Sequence, residues 1–156
     1  MSALNTLIDK TIKWFLIVGG GVTAVALLFA IDTNLITPML GGLVDYTPAS
    51  VPVLRHWGIM VFGIGVLMVV AAFRPWLRFE TMLFSTVEKF FMVYLFLSNL
   101  GQPWAMGYLF LFLVDATIVA YSILYFISSC SATREPPVLT SFVAMKPVGR
   151  HRCATG

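Results

Sequence analysis

Long runs of apolar residues alternate with short polar segments along this chain. Crossing the hydrocarbon core of a bilayer as a helix takes about 20 largely apolar residues. By that measure the sequence predicts four membrane-spanning helices, over residues 12–30, 57–73, 81–100 and 106–127. Proline cannot continue a helix, and Pro75 and Pro103 stand in the second and third breaks between the runs. The pattern therefore predicts an all-α fold, a four-transmembrane-helix bundle of a polytopic membrane protein.

Composition agrees with this membrane assignment. Residues of the hydrophobic class make up 59% of the chain and charged residues only 11%, whereas a soluble domain carries about 25% charged residues. The predicted organisation is one transmembrane domain over residues 1–131, followed by a basic tail over residues 132–156. The expected surroundings are a lipid bilayer, and no nucleic-acid partner is expected.

The basic residues predict the orientation of the four spans. Cytoplasmic loops of membrane proteins carry an excess of Lys and Arg. Arg55 alone lies on one side, Lys89 lies within a span, and the other eight of the ten basic residues fall on the opposite side: Lys10, Lys13, Arg74, Arg78, Arg134, Lys146, Arg150 and Arg152. Both termini are therefore expected in the cytoplasm.

Glycines recur within the first two spans. Gly19, Gly20 and Gly21 are consecutive, and Gly63 and Gly65 follow in the second span. In membranes such small residues let two helix backbones approach closely, so helix packing is the expected role. The triplet lacks the strand and the motif of a phosphate-binding loop. No HExxH or CxxC pattern and no hydrolase-like Ser-His-Asp set occurs, so we expect no catalytic residues, no metal site and no intrinsic cofactor.

Three ionisable residues, Glu88, Lys89 and Asp115, lie within the predicted spans. An isolated charge at the bilayer centre costs at least about 2.5 kcal/mol, so each needs a partner or water. The turn between the third and fourth spans centres near Gln102, with Lys89 thirteen residues before it and Asp115 thirteen after it. Because a helix rises 1.5 Å per residue, the two lie at equal depth. The sequence therefore predicts a structural Lys89–Asp115 ion pair.

Glu88 is expected to point away from that pair, since successive helical residues differ by about 100° in direction. Counting through the turn near Trp76 places Gly63 and Gly65 opposite it, which leaves room for a carboxyl group, a water or a polar ligand atom. Three roles remain open for the charges: a network that locks the bundle, a proton relay or ligand site, and contact with a partner subunit. Arg55 and His56 are expected to anchor the outer end of the second span or to recognise an anionic group.

One block resembles a known family. The segment RHWGIMVFGIGVLMVVAAFRPWLRFETMLFSTVEKF, from Arg55 to Phe90, is similar to the signature of small four-helix DoxX-like or BphX-like bacterial membrane proteins. The resemblance rests on four short motifs. They are PxLGGL before the block, R-H-W-G at the start of a glycine-bearing helix, and then F-x-P and V-E-K. The resemblance covers residues 12–127 and implies a four-helix fold in a bacterial inner membrane. Some relatives are associated with quinone-linked oxidoreductases or aromatic-degradation operons.

These observations favour a non-catalytic accessory subunit of a larger membrane complex, such as a quinone-linked oxidoreductase or another energy-transducing assembly. Glycine-rich helix faces and the 132–156 tail are the expected contacts with other membrane subunits. The alternative is a protein that binds a small lipophilic ligand, a lipid or a quinone, with Glu88, Gly63, Gly65, Arg55 and His56 as candidate site residues. A proton-coupled transporter is a third reading.

Overall fold

Helices make up most of the described chain. The computed structural model describes residues 3–35, 40 and 47–132. The α-helices within these ranges are α1 Ala3–Ala24, α2 Leu27–Ile31, α3 Val51–Phe73, α4 Arg78–Ser98 and α5 Leu109–Ala132. Short 3₁₀ segments occupy Thr33–Leu35, Pro75–Leu77 and Pro103–Tyr108. No strand occurs in the described ranges, so their fold is all-α, as predicted. The predicted tail beyond Ala132 lies outside them.

The four long helices form a closed bundle of antiparallel neighbours. α3 packs against α1 and α4, and α5 packs against α4 and α1. One end of the bundle carries the start of α1, the turn between α3 and α4, and the end of α5; we call it the basic end because Lys10, Lys13, Arg74 and Arg78 lie there. The main apolar core fills the half of the bundle nearer the basic end, with Leu16, Met68 and Met82 fully buried.

The outer surface of the bundle is apolar. Four helical stretches are long and apolar enough to cross a membrane: Leu4–Ile31, Val51–Phe73, Pro75–Ser98 and Pro103–Cys130. Only 22% to 39% of their most apolar windows is buried inside the protein. Most of these side chains therefore face outward, and lipid is the solvent in which such a surface is stable.

The first helix is longer than its predicted span and is interrupted. It begins at Ala3 rather than residue 12 and continues as α2 after a break at Val25 and Ala26. At the break, the N–H groups of Val25 and Ala26 bond to carbonyls only three residues back, at 3.2 and 3.1 Å. Such tightened bonds end an α-helical turn, and the preceding glycines lower the stability of the helix there.

The second long helix begins at Val51, six residues before the predicted span. Thr47 and Ser50 bond each other's backbone N–H through their hydroxyls, at 3.1 and 3.3 Å, which organises the chain entering α3. Pro52 lies in the first turn, where its missing N–H costs no helical hydrogen bond. The predicted start of this span at residue 57, which left Pro52 outside the helix, was therefore wrong. The second span ends at Phe73, as predicted, and the first helical stretch ends at Ile31, one residue beyond the prediction. The boundaries of the third and fourth spans differ from the prediction by two to five residues.

Glycines allow α1 and α3 to approach closely. A Cβ atom added to Gly65 would lie 2.6 Å from the Gly20 carbonyl oxygen and from the Ala24 nitrogen. One added to Gly20 would lie 2.7 Å from the Gly65 carbonyl oxygen, and one added to Gly58 would lie 2.8 Å from the Ala26 carbonyl oxygen. Only glycine fits at these three positions, which is the packing role expected of small residues in membranes.

Polar side chains tie α1 to α5 near the basic end. The Thr11 and Tyr121 hydroxyls are 2.8 Å apart, and the Ser128 hydroxyl donates to Asn5 Oδ1 at 3.0 Å. The Phe15 and Tyr121 rings stack with centroids 3.7 Å apart. The two helices are therefore fastened over the first part of α1 and the second part of α5.

Candidate functional site

A buried ion triad joins α4 to α5 near the middle of the bundle. Lys89 Nζ lies 3.1 Å from Asp115 Oδ1 and 3.0 Å from Glu88 Oε2. The side chains of Lys89 and Asp115 are only 4% and 8% exposed, and that of Glu88 is 23% exposed. α4 and α5 are joined by a short connection, which sets their register and brings Lys89 opposite Asp115 at the depth that the sequence predicts.

The expected separation of Glu88 from Lys89 was wrong. Lys89 has a long, flexible side chain, and its ammonium group reaches back to the neighbouring carboxylate although the two side chains leave the helix in different directions. The contact is not aligned as a hydrogen bond, and the buried Glu88 Oε2 makes none. Poor alignment follows from the spacing, since residues i and i+1 of a helix do not face each other. With all three groups ionised, one positive charge stands against two negative charges.

Gly63 and Gly65 do not face Glu88. Gly65 and Glu88 do lie at the same depth in the bundle, as expected. The Ser85 hydroxyl lies 3.6 Å from Met68 Sδ, and Gly65 and Glu88 are each three residues further from the turn than this contact. The space beside Gly65 is nevertheless filled by α1, and a Cβ added to Gly63 would meet nothing within 4 Å. Gly63 is exposed on the surface. The rotation of α3, set by its packing on α1, decides this outcome.

A cavity of about 230 Å³ extends from the ion triad toward the end of the bundle opposite the basic end. Lys89 and Asp115 line it at the depth of the triad, and Thr23 lines it from α1. The remaining lining side chains are apolar: Val22, Val25, Ala26, Phe29, Leu40, Trp57, Val61, Met92, Phe110, Leu111 and Val114. Phe29 and Trp57 meet edge to face with centroids 5.1 Å apart. The site thus combines an apolar chamber with a few polar groups, the usual make-up of a small-molecule site.

Thr23 brings an unsatisfied hydroxyl to this cavity. The residue is only 5% exposed, and its Oγ1 has no hydrogen-bond partner. Other hydroxyls in these helices bond the carbonyl four residues back, as Thr86 does to Met82 at 2.6 Å and Thr117 to Leu113 at 2.8 Å. A buried hydroxyl without a partner costs about 1–3 kcal/mol. Thr23 Oγ1 is therefore available to a molecule in the cavity.

Arg55 and His56 lie apart from this site. Both are exposed on the first two turns of α3, and neither lines the cavity. Their neighbour Trp57 does line it, which places the R-H-W-G segment at the edge of the site. Among the described residues no group of three or more His, Cys, Asp or Glu forms a metal-binding cluster.

Sequence reasoning missed Thr23 and the aromatic walls of the cavity. Threonine occurs in three of the four spans, and nothing in its local sequence separates a hydroxyl that bonds its own helix from one that does not. The break after Ala24 is the one local signal, because it disturbs the helix next to Thr23.

Comparison of the chain with family models, with curated proteins and with solved structures gave no match.

Proposed function

We propose that this chain is a membrane-embedded binding protein for a small lipophilic molecule that carries a polar group. The observation that carries the proposal is the cavity bordered by Lys89, Asp115 and the unbonded Thr23 hydroxyl. A dry cavity of about 150 Å³ accommodates benzene, so about 230 Å³ has room for a substituted ring. Lys89 supplies donors, Asp115 supplies acceptors, and the hydroxyl of Thr23 serves as either.

The charge of the triad limits the polar group. Two carboxylates face one ammonium group, so an anionic head would add a second uncompensated negative charge in a low-dielectric interior. A neutral head with hydroxyl or carbonyl groups fits the donors and acceptors without that penalty. A lipid with a neutral head and a quinone both belong to this class. The protein's part is binding, and the proposal includes no reaction.

The first test is retention of a small molecule by the purified full-length protein. Solvent extraction and mass spectrometry after gentle solubilisation should recover one lipophilic species in a fixed ratio to protein. Val61→Phe places a ring in the cavity, since Val61 lines it and is 4% exposed, and it should abolish retention. Val70→Phe makes the same change at a position 41% exposed on the surface of α3 and should leave retention intact. Equal retention by both variants would contradict the proposal.

The second test separates binding from stability. Thr23→Val keeps the shape of the side chain and removes the unsatisfied hydroxyl, so the ligand-free protein should gain about 1–3 kcal/mol in the free energy of unfolding. The same change should weaken ligand retention. Thr81 also has a buried hydroxyl without a partner but lies outside the cavity lining. Thr81→Val should therefore raise stability without changing retention.

The setting of this protein forms part of the proposal. We infer that the four helices cross a bacterial inner membrane with both termini in the cytoplasm, as the basic residues and the resemblance to DoxX-like proteins suggest. The test uses intact cells that express a variant without Cys130 and Cys153. A cysteine introduced into this variant at Gly101 should then react with a membrane-impermeant maleimide. A cysteine introduced at Lys10 should not react. Labelling of position 10 alone would show that the orientation is the opposite one.

An accessory role in a membrane complex is the second proposal. Gly21 and Gly63 are exposed, and a Cβ added to either would meet nothing within 4 Å. Such positions allow another helix to approach closely. A native complex of fixed stoichiometry should be lost on Gly63→Leu and kept on Val66→Leu, a change at a neighbouring exposed position of α3. A monomer in native membranes would contradict this role.

A further inference from the structure

A groove on the outer surface of the bundle runs between α1 and α5 and has a volume of about 620 Å³. Its α1 wall includes Trp14 and Val18, and its α5 wall includes Leu113. These side chains are 54% to 66% exposed, so the groove opens outward along its length. It is a separate space from the cavity that holds the ion triad.

The groove and the cavity meet at one place. Val22, Phe110 and Val114 line both of them. These residues therefore form the boundary between the outward-facing groove and the buried polar groups. A molecule that lies in the groove has its end next to the cavity at this junction.

The other end of the groove is closed. Thr11, Phe15 and Tyr121 line it there, and they are the residues that fasten α1 to α5 by a hydrogen bond and a stacked ring pair. From this closed end to the junction the groove follows α1 from Thr11 to Val22 and α5 from Tyr121 to Phe110. Eleven residues at 1.5 Å each give about 16 Å on both helices.

We propose that the groove holds the apolar tail of the same molecule whose polar head occupies the cavity, and that the molecule enters sideways from the bilayer at the junction of Val22, Phe110 and Val114. This inference rests on the proposed function. The ligand class is a single-tailed amphiphile with a neutral polar ring as its head and a tail of about 16 Å. A single tail follows from the shape, since one channel between two helices leads to one chamber.

The tryptophans of this chain allow head and tail to be located separately. Trp57 lines the cavity, and Trp14 lines the groove near its closed end. Trp76 lies near the basic end, is 69% exposed and lines neither space. Bromine quenches indole fluorescence only at short range. Full-length variants that retain one tryptophan each, with phenylalanine at the other three positions, would be reconstituted in phosphatidylcholine vesicles.

The probes are 4-dodecylphenols that carry bromine either on the ring or on the last tail carbon. The ring-brominated probe should quench Trp57 at least threefold more strongly than Trp76, which reports quenching by probe dissolved in the lipid. The tail-brominated probe should quench Trp14 at least threefold more strongly than Trp76. A 4-butylphenol brominated at its tail end should not reach Trp14, because its tail is far shorter than the groove.

A matched pair of variants tests the junction. Val22→Phe narrows the junction. Val70→Phe makes the same change at a similarly exposed site, since Val22 is 39% exposed and Val70 is 41% exposed. The excess quenching of Trp14 by the tail-brominated probe should fall at least threefold in Val22→Phe and stay unchanged in Val70→Phe.

Two results would overturn the inference, and they differ in what they imply. If the ring probe quenches Trp57 while the tail probe quenches Trp14 no more than Trp76, the tail lies elsewhere and the proposed function stands. If the ring probe quenches Trp57 no more than Trp76, the cavity does not hold this head, and the proposed function fails together with the inference.

Discussion

Replacing Gly65 by alanine should push α1 away from α3. The added Cβ would lie 2.6 Å from the Gly20 carbonyl oxygen and from the Ala24 nitrogen. Ordinary contacts of a Cβ atom begin near 3.4 Å, so the backbones must separate by most of an ångström. Both neighbours are backbone atoms of a helix, and no flexible side chain can move aside. Overpacking of this kind typically costs about 1–3 kcal/mol.

Gly63→Ala is the matched control for this prediction. It lies two residues away in the same helix, and its added Cβ would meet nothing within 4 Å. Alanine favours a helix over glycine by up to about 1 kcal/mol, and this gain is common to both variants. The difference in unfolding free energy between them therefore reports the clash alone, and Gly65→Ala should be the less stable by about 1–3 kcal/mol.

Unfolding of the purified protein by increasing denaturing detergent in mixed micelles, followed by circular dichroism, measures this difference. Gly20→Ala and Gly21→Ala provide a second pair on α1, with a Cβ 2.7 Å from the Gly65 carbonyl oxygen in the first and open space in the second. If both buried-glycine variants unfolded at the same detergent fraction as their controls, the close contact between α1 and α3 would be refuted.

The remaining predictions concern the ion triad, the end of α3 and a hydroxyl of α4. Lys89→Met should cost about 3–5 kcal/mol in unfolding free energy because it leaves the buried Asp115 carboxylate and the partly buried Glu88 carboxylate without a cation. Asp115→Asn should cost less because Lys89 still pairs with Glu88, and equal losses would contradict an ammonium group shared by both carboxylates. Arg78 donates to the Ala71 and Ala72 carbonyls at 3.2 and 3.0 Å, so Arg78→Gln should cost about 1–2 kcal/mol. Arg74→Gln, at an exposed position, should be neutral in the same titration. Thr86→Val removes a satisfied hydroxyl and should not stabilise the protein, in contrast to Thr81→Val.

Local features of the sequence predict the helices and one of their contacts. Apolar runs predict four spanning segments because the requirement for about 20 apolar residues acts on each segment separately. The Lys89–Asp115 contact is also predictable, since a short connection between two antiparallel helices sets their register. The start of α3 was missed because Pro52 is neutral in a first helical turn, and the sequence alone does not show that this turn forms.

Contacts between helices that are distant in sequence were not predictable in this way. Which face α3 turns toward α1 depends on where Gly20, Gly58 and Gly65 let the backbones meet. Because of that rotation, Gly65 faces α1 rather than Glu88, and Gly63 lies on the surface. Equal depth can be counted along the chain, but rotation about the helix axis is set by packing on the neighbouring helix.

The sequence by itself determined that this protein is helical, that four of its segments are apolar enough to cross a membrane, and that three charges lie within them. Each follows from residue type and spacing along one segment. Tertiary structure alone decided that Lys89 contacts both carboxylates, that Thr23 lacks a partner, and that a cavity opens beside them. A cavity is space that five helical segments leave unfilled, and its shape depends on all of their rotations together.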